Sequence, residues 1–224
     1  MRSIWPRAGA IAFVCVVLAI AMTATTGCSK GGGSANSEAE KTPESSPSQE
    51  ATSPTEQPIT EGSTNVPTAT IKTNKGTFKV AFFPEKAPKH VEAFLKLSKD
   101  GFYNGNKIHR YEPGFVVQMG DPQTNSMSAA DVIAKKNPAV GTGGPGYNLP
   151  AEFNDERHVP GTVAMARSQD PNSGGSQFYI VVGEASFLDG QYTVFGKVTE
   201  GYDDVVTKLR VGDEIESIAV SDAE

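Results

Sequence analysis

The segment 108–121, with the sequence IHRYEPGFVVQMGD, brings three side chains of different chemistry close together in the chain. Arg110 is a permanent cation with a rigid fork of hydrogen-bond donors, Phe115 offers a large apolar surface, and Gln118 is a neutral amide. Two short apolar stretches carry them, joined by a Pro-Gly dipeptide that is typical of a turn. The segment can therefore place a fixed cation and an amide beside an apolar contact surface.

Three further blocks follow this segment along the chain. They are residues 141–144 (GTGG), residues 174–180 (GGSQFYI) and residues 187–196 (FLDGQYTVFG). With the first segment, the set closely resembles the cyclophilin family of peptidyl-prolyl isomerases, from about Val66 to Val220. One block alone would be a weak signal, but four blocks in the family's order are specific.

The resemblance implies a peptidyl-prolyl cis–trans isomerase that acts on Xaa-Pro segments. In it, Arg110 is the catalytic cation, Phe115 is the floor of a proline pocket, and Gln118 lies beside the substrate backbone. The resemblance also implies substrate-binding residues on neighbouring strands and loops, which are Val116, Ala166, Arg167, Gln177, Tyr179, Phe187, Leu188 and Tyr192. Arg167, Phe187 and Tyr192 stand where many members have Asn, Trp and His.

The chemistry of this reaction suits a fixed cation. Prolyl isomerisation is slow because C–N resonance sets a barrier of about 18–20 kcal/mol. A catalyst breaks no bond but must stabilise a twisted amide whose nitrogen has regained its lone pair, and a hydrogen bond from Arg110 would do so. One such bond is worth about 1.5–3 kcal/mol, or roughly 10- to 150-fold in rate. We expect the desolvated pocket and the grip on the flanking peptide to supply the remainder.

Other chemistries fit these residues less well. The glycines at 141–144 could cradle a phosphate, but no Lys-Ser/Thr pair follows them. Ser176 could pair with His109 or His158 in a hydrolase, but no nucleophile-elbow pattern surrounds it. His109 is predicted to be structural, because isomerisation transfers no proton. A non-catalytic cyclophilin-fold binding module, or holdase for Pro-containing segments, stays open as the alternative, and the intact Arg110 favours the enzyme.

The N-terminus is organised like a bacterial lipoprotein signal. Two arginines precede an apolar run at residues 10–22, which is shorter than the 20 or so residues needed to span a hydrocarbon core. The sequence Thr25-Thr26-Gly27-Cys28 then resembles a lipobox, where the chain is cut before a cysteine that carries the lipid. We predict a signal peptide at 1–27, lipidation of Cys28 and an extracytoplasmic protein anchored to a bacterial membrane. An uncleaved anchor and a signal without lipid are the alternatives.

Cysteine content and charge limit the possible partners. Cys15 would leave with the signal peptide, so Cys28 would be the single cysteine of the mature chain. No spacing fits a zinc site, and we predict no metal and no cofactor. Cleavage would remove two of the 20 basic residues and none of the 26 acidic ones, which leaves a net charge of −8. This excess argues against nucleic acid as a partner. The expected partners are exported proteins, with the mature protein a monomer held at the membrane through Cys28.

Residues 28–66 are predicted to be a disordered tether. They are rich in Ser, Gly, Thr, Pro, Glu and Ala, with no aromatic residue and no leucine. Such a segment buries too little apolar surface to offset its ordering entropy. As a flexible chain it would span roughly 35 Å and lift the folded domain, residues 67–224, off the membrane.

From Thr68 onwards, alternating apolar residues and turn signals indicate a mostly β domain. Asn74-Lys75-Gly76 predicts a hairpin, and a helix should begin near Pro88 and end near Gly101. A second short helix is predicted over 202–209. The other strands are predicted at 108–111, 115–119, 162–167, 177–182, 194–198 and 215–220. The resemblance implies a closed eight-stranded antiparallel β-barrel capped by two α-helices.

Residues 122–140 make the chain longer here than in compact members of the family. Ser128-Ala129-Ala130-Asp131 is typical of a capping box and predicts about two helical turns, which Pro138 should end. We expect this insertion beside the active face, where it could serve the site or be a neutral surface addition.

Overall fold

A computed structural model describes residues 66–222 of the protein. The predicted signal peptide, the predicted lipidation site Cys28 and nearly all of the predicted tether lie outside the described residues. Within residues 66–222, no helix is both long and apolar enough to cross a membrane.

Eight antiparallel strands form a single curled sheet. Their order across the sheet is β3-β4-β6-β5-β7-β2-β1-β8. The strands are β1 (Thr68–Thr73), β2 (Gly76–Phe82), β3 (Arg110–Glu112), β4 (Val116–Met119), β5 (Thr162–Met165), β6 (Phe178–Val181), β7 (Val194–Glu200) and β8 (Ile215–Ser221). All eight predicted strands exist, and their ends differ from the predicted ones by at most two residues.

Two α-helices accompany the sheet in the described part of the chain. Helix α1 (Pro88–Lys99) begins at a proline, which tolerates the first helical turn because its missing N–H would have no partner there. Glu152, from a distant loop, accepts hydrogen bonds of 3.1 Å from the backbone N–H groups of Lys89 and His90 and so caps the helix. Helix α2 (Ala129–Ile133) lies in the predicted insertion.

The main core lies between the inner face of the sheet and α1. Phe94 of α1 packs against Phe82, Phe178 and Phe195, with ring centroids 5.1–5.7 Å apart. These four rings are at most 1% exposed. Alternation along the strands sends every second side chain to this face. The intervening side chains point outwards, where several of them form a second, smaller apolar cluster.

The prediction of a closed barrel is wrong, because the sheet is an open half-barrel. Strand β3 has only three residues and pairs with β4 alone, so no strand ladder joins it to β8 at the other end of the sheet. Backbone hydrogen bonds between segments 105–108 and 212–215, with one isolated bridge between Lys107 and Glu214, span the gap. Loop backbone thus satisfies the polar groups that a continuous ladder would have paired.

The second helix predicted over 202–209 is also wrong. This segment forms irregular turns that end in a single 3₁₀ turn, Val206–Lys208. Gly201 O accepts hydrogen bonds from both Val205 N and Val206 N, which lie four and five residues further along the chain, so the turn is not a regular α-helix. The inward positions Val205, Val206 and Leu209 are buried as predicted. Eight residues are too few for a helix to be stable by itself, so core packing decides their backbone.

The helix predicted in the insertion is confirmed but shorter than expected. Ser128 caps it, and its hydroxyl accepts a 3.2 Å hydrogen bond from Asp131 N. The helix ends at Ile133, ahead of Pro138, and the chain turns at Lys135, which has a positive φ of 51°.

Candidate active site

The predicted site residues meet on the outer face of the half-barrel. Ten of the eleven line one cleft of about 270 Å³, namely Arg110, Phe115, Val116, Gln118, Ala166, Arg167, Tyr179, Phe187, Leu188 and Tyr192. The eleventh, Gln177, lines a neighbouring cleft of about 360 Å³ together with Gln118, Ala166 and Arg167. We call these the apolar cleft and the polar cleft.

The strand register explains why these side chains converge. Arg110 pairs with Gln118 across β3 and β4, Gln118 with Tyr179 across β4 and β6, and Tyr179 with Ala164 across β6 and β5. Residues directly opposite each other in a sheet point to the same side. The four side chains therefore form a row across the outer face, with the cation at one end and apolar surface at the other.

A chain of hydrogen bonds fixes the polar end of this row. Arg110 Nη1 donates to Gln118 Oε1 at 3.3 Å, and Gln118 Nε2 donates to Gln177 Oε1 at 3.0 Å. Gln177 Nε2 in turn donates to Gly143 O at 2.8 Å. Each amide is oriented by its neighbour, so Gln118 presents its oxygen to the arginine. Glu112 adds a looser contact, with Oε1 3.6 Å from Arg110 Nε.

Two stacked rings line the apolar cleft. Phe115 and Phe187 have centroids 5.4 Å apart, and Arg110 Cζ lies 5.9 Å from the Phe115 centroid. Phe187 is 61% exposed, so much of its ring is open to a ligand. Gly183 lets the turn that carries Phe115 approach closely, because a Cβ at Gly183 would lie 1.9 Å from Gly114 O. A backbone hydrogen bond from Val182 N to Phe115 O holds this turn in place.

Tyr179 at the base of the cleft is fixed by a histidine that sequence reasoning did not assign to the site. The Tyr179 hydroxyl lies 3.0 Å from His158 Nε2, and His158 Nδ1 lies 3.0 Å from Asp189 Oδ1. Burial lowers the pKa of His158 and raises the pKa of Tyr179. A neutral imidazole therefore donates from Nδ1 to Asp189 and accepts from the tyrosine at Nε2.

Arg167 borders both clefts and is held by backbone carbonyls. Its Nε and Nη2 donate to Gln191 O at 3.2 and 3.1 Å, and Nη1 donates to Ser168 O at 2.9 Å. Its Cζ lies 4.4 Å from the centroid of Tyr192. The predicted strand over 162–167 ends at Met165, so Ala166 and Arg167 lie just beyond β5, although Ala166 N still donates to Gln177 O.

The structure also shows what the rejected motifs do. In the Gly-rich loop at 141–144, a Cβ at Gly143 would lie 2.1 Å from Asp121 Oδ1, so the loop packs on a buried carboxylate. Ser176 is buried and donates to Gly120 O at 2.7 Å. No group of three or more His, Cys, Asp or Glu that could hold a metal occurs among residues 66–222.

Sequence reasoning missed three residues around the site, which are Glu112, Asp121 and His158. Glu112 stands two residues after Arg110 on a strand, and this spacing could have placed it on the same face. Asp121 ends the first motif, but nothing in its neighbourhood signals that it is buried. His158 and Tyr179 are 21 residues apart and meet only through the fold.

An open antiparallel half-barrel with an arginine and a glutamine at the mouth of an aromatic-lined outer cleft defines a cyclophilin-like protein. The family model for the cyclophilin type peptidyl-prolyl cis-trans isomerase matches residues 68–222. A probable peptidyl-prolyl cis-trans isomerase from Brucella abortus is 47% identical over 154 residues, covering 68% of this chain and 76% of the relative. A peptidyl-prolyl cis-trans isomerase from Synechococcus elongatus is 42% identical over 153 residues, covering 68% of this chain and 94% of the relative.

Solved structures agree with these relatives. A cyclophilin type isomerase from Cryptosporidium parvum superposes with a TM-score of 0.59 at 27% identity, covering 71% of this chain and 99% of that one. A second structure of that protein, determined in the presence of the dipeptide Ala-Pro, gives a TM-score of 0.58 over 69% of this chain and 98% of that one. The chain therefore belongs to the cyclophilin-type peptidyl-prolyl cis–trans isomerase family.

Proposed function

We propose that the protein accelerates cis–trans exchange of Xaa-Pro bonds, with Arg110 stabilising the twisted prolyl amide. The observation that carries this proposal is the position of Arg110. Gln118 holds its guanidinium at the mouth of the apolar cleft, where the nitrogen of a bound proline would meet it.

The cleft and the arginine would have separate roles in catalysis. The apolar cleft would hold the proline ring between Phe115 and its neighbours and remove water from the amide. Among the described residues, the contacts of Arg110 use Nη1 and Nε, which leaves Nη2 for the substrate. A donor fixed before the reaction binds the pyramidal nitrogen better than the planar one, and it needs no reorganisation as the bond rotates. Ala-Pro, present with the related Cryptosporidium protein, is the smallest unit that carries such a bond.

The decisive test compares Arg110→Ala with the wild-type protein on an Xaa-Pro peptide. We expect kcat/KM to fall about 100-fold, which corresponds to about 2–3 kcal/mol of lost transition-state stabilisation. Lys96→Ala is the matched control, since it removes one positive charge from an exposed position on α1. It should leave the rate unchanged.

The same assay tells the enzyme from a holdase. A protein that binds the peptide without accelerating its exchange would be the non-catalytic module. If Arg110→Ala accelerated exchange as fast as the wild type, the proposed role of the arginine would be rejected even though the protein is an isomerase.

We further propose that the protein acts on exported proteins from a membrane-bound position. The support lies in the sequence, where a short apolar run leads to the lipobox-like Thr25-Thr26-Gly27-Cys28. More than one acyl chain on Cys28 would hold the protein to a membrane more firmly than a single chain does. We expect mature protein to begin at a modified Cys28 and to sediment with membranes, and Cys28→Ser to be released or left uncut. An unmodified Cys28 in an intact-mass measurement would reject this proposal.

A further inference from the structure

A third cleft, of about 510 Å³, opens between the β3–β4 edge of the sheet and the insertion. Six residues between Val132 and Gly141 form its outer wall, and the sheet side contributes Arg110, Glu112 and Gln118. Arg110, Gln118 and Arg167 line both this cleft and the apolar cleft. The two clefts therefore adjoin at the proposed catalytic arginine.

The wall of this third cleft is tied to the domain at both ends. The fully buried carboxylate of Asp121 accepts hydrogen bonds from Gln123 N and Gly141 N, the residues where the insertion leaves and rejoins the fold. Val132 is 2% exposed, and Ile133 packs over Gly212, where a Cβ would lie 3.0 Å from Ile133 Cδ1. The insertion is therefore packed against the domain and forms part of this face of the protein.

The charges that line the third cleft are mostly positive. Arg110, Lys135 and Arg167 face one acidic residue, Glu112, in a protein whose net charge is −6. Lys135 makes no ion pair with any residue between 66 and 222, and Arg167 donates to backbone carbonyls that do not neutralise it. Burial lowers the pKa of His109, the other titratable residue of the cleft, so it adds no charge near neutral pH. An uncompensated positive cleft favours an anionic ligand.

We propose that the third cleft is a subsite for an aspartate or glutamate side chain of the substrate, within two residues of the proline. The proposal rests on the proposed function, because the shared Arg110 and Gln118 place this cleft next to the prolyl bond. An extended peptide advances about 3.3–3.6 Å per residue, so one or two residues carry it from one cleft to the next. The carboxylate would lie among Lys135, Arg167 and the insertion wall.

The test uses pairs of blocked peptides that differ only by glutamate against glutamine. The variable residue stands one or two positions before or after the proline, and blocked ends leave the glutamate as the sole carboxylate. At one of these positions, kcat/KM should be about three-fold higher for glutamate, as expected for one exposed ion pair. The preference for glutamate should disappear at about 1 M salt, where the screening length is about 3 Å.

Variants of two adjacent lysines locate the effect. Lys135 has a positive φ that Asn and Asp tolerate better than most residues, so Lys135→Asn and Lys135→Asp remove or reverse the charge without straining the backbone. We expect the glutamate-to-glutamine ratio to fall towards 1 in the first and below 1 in the second. Lys136→Asn is the control, because Lys136 pairs with Asp131 at 2.6 Å and does not line the cleft. It should keep the wild-type ratio.

Failure of this inference is distinct from failure of the proposed function. A wild-type protein that accelerates all peptides with ratios near 1 overturns the subsite and leaves the isomerase standing. Equal ratios for wild type and Lys135→Asp overturn it as well. A protein that accelerates no peptide rejects the proposed function. In that case the ratio of dissociation constants, measured by fluorescence anisotropy with the same peptides, decides on the subsite.

Discussion

Alternating residues of strands β4 and β6 form an inner face and an outer face, and the two faces differ in their surroundings. On the inner face, Val117, Met119, Phe178 and Ile180 are fully buried in the main core. On the outer face, three of the intervening residues, Val116, Gln118 and Tyr179, line the apolar cleft. Tyr179 is 4% exposed there and Gln118 is half-buried.

The difference shows where a small β domain can carry polar chemistry. The inner face excludes polar side chains, because a buried donor or acceptor without a partner is costly. On the outer face Gln118 and Tyr179 each have a side-chain partner, Gln177 and His158. We therefore expect stability to depend mainly on the first face and ligand recognition on the second, and substitutions at adjacent residues should separate the two.

The largest effect should come from removing an inner aromatic ring. Phe178→Ala should lower the free energy of unfolding by about 3–5 kcal/mol, since the ring packs against Phe94 and Tyr103 and the cavity left behind cannot close fully. Denaturant unfolding measures this loss. The neighbouring outer-face change Tyr179→Phe removes one hydroxyl and should have a much smaller effect. Similar losses for the two variants would remove the distinction between the faces.

A smaller effect should come from the polar pair beneath the outer face. His158→Leu leaves the buried Tyr179 hydroxyl without its acceptor, which should destabilise the protein by about 1–3 kcal/mol. The double variant His158→Leu/Tyr179→Phe should recover part of this loss, because the hydroxyl is then absent. Unfolding of all four proteins gives the coupling. Additivity within about 0.5 kcal/mol would show that the pair does not act together.

The smallest effect expected from a single side chain is the change in stability with pH that each histidine contributes per pH unit. Burial lowers the pKa of His90, His109 and His158, the three histidines of the chain. The unfolded chain, with histidine pKa values near 6.5, therefore takes up protons before the folded protein does. This stabilising contribution is complete above about pH 6.5 and is lost as the pH falls towards the folded-state values.

The loss should reach up to about 1.4 kcal/mol per pH unit for each histidine. Unfolding between about pH 7 and pH 5 measures it. The double variant His158→Leu/Tyr179→Phe should show a shallower slope, because one titrating group beneath the outer face is gone. An unchanged slope in that variant would contradict the assignment of His158 to this pH dependence.

The sequence motifs singled out the eleven predicted site residues, ten of which line the apolar cleft, but they gave no sign of Glu112, Asp121 or His158. The period of two along β4 separates Val116 and Gln118 from Val117 and Met119 without any knowledge of the fold. The order of the four motifs identified the family, and the Pro88 and Ser128 signals located both α-helices. These features are local, because they depend on side-chain type and on spacings of a few residues.

Features that depend on contacts between distant parts of the chain could not be predicted from local sequence patterns. Strand β3 pairs with β4 alone, and hydrogen bonds between loop segments 105–108 and 212–215 take the place of a ladder to β8; no local pattern in either segment encodes this contact. Likewise, apolar spacing at 202–209 predicts a helix, but burial of the same side chains in the core is compatible with irregular turns. The charged cleft beside Arg110 follows the same rule. Its insertion wall is held because the Asp121 carboxylate accepts a hydrogen bond from Gly141 N, 20 residues further along the chain, and such an approach is a property of the fold.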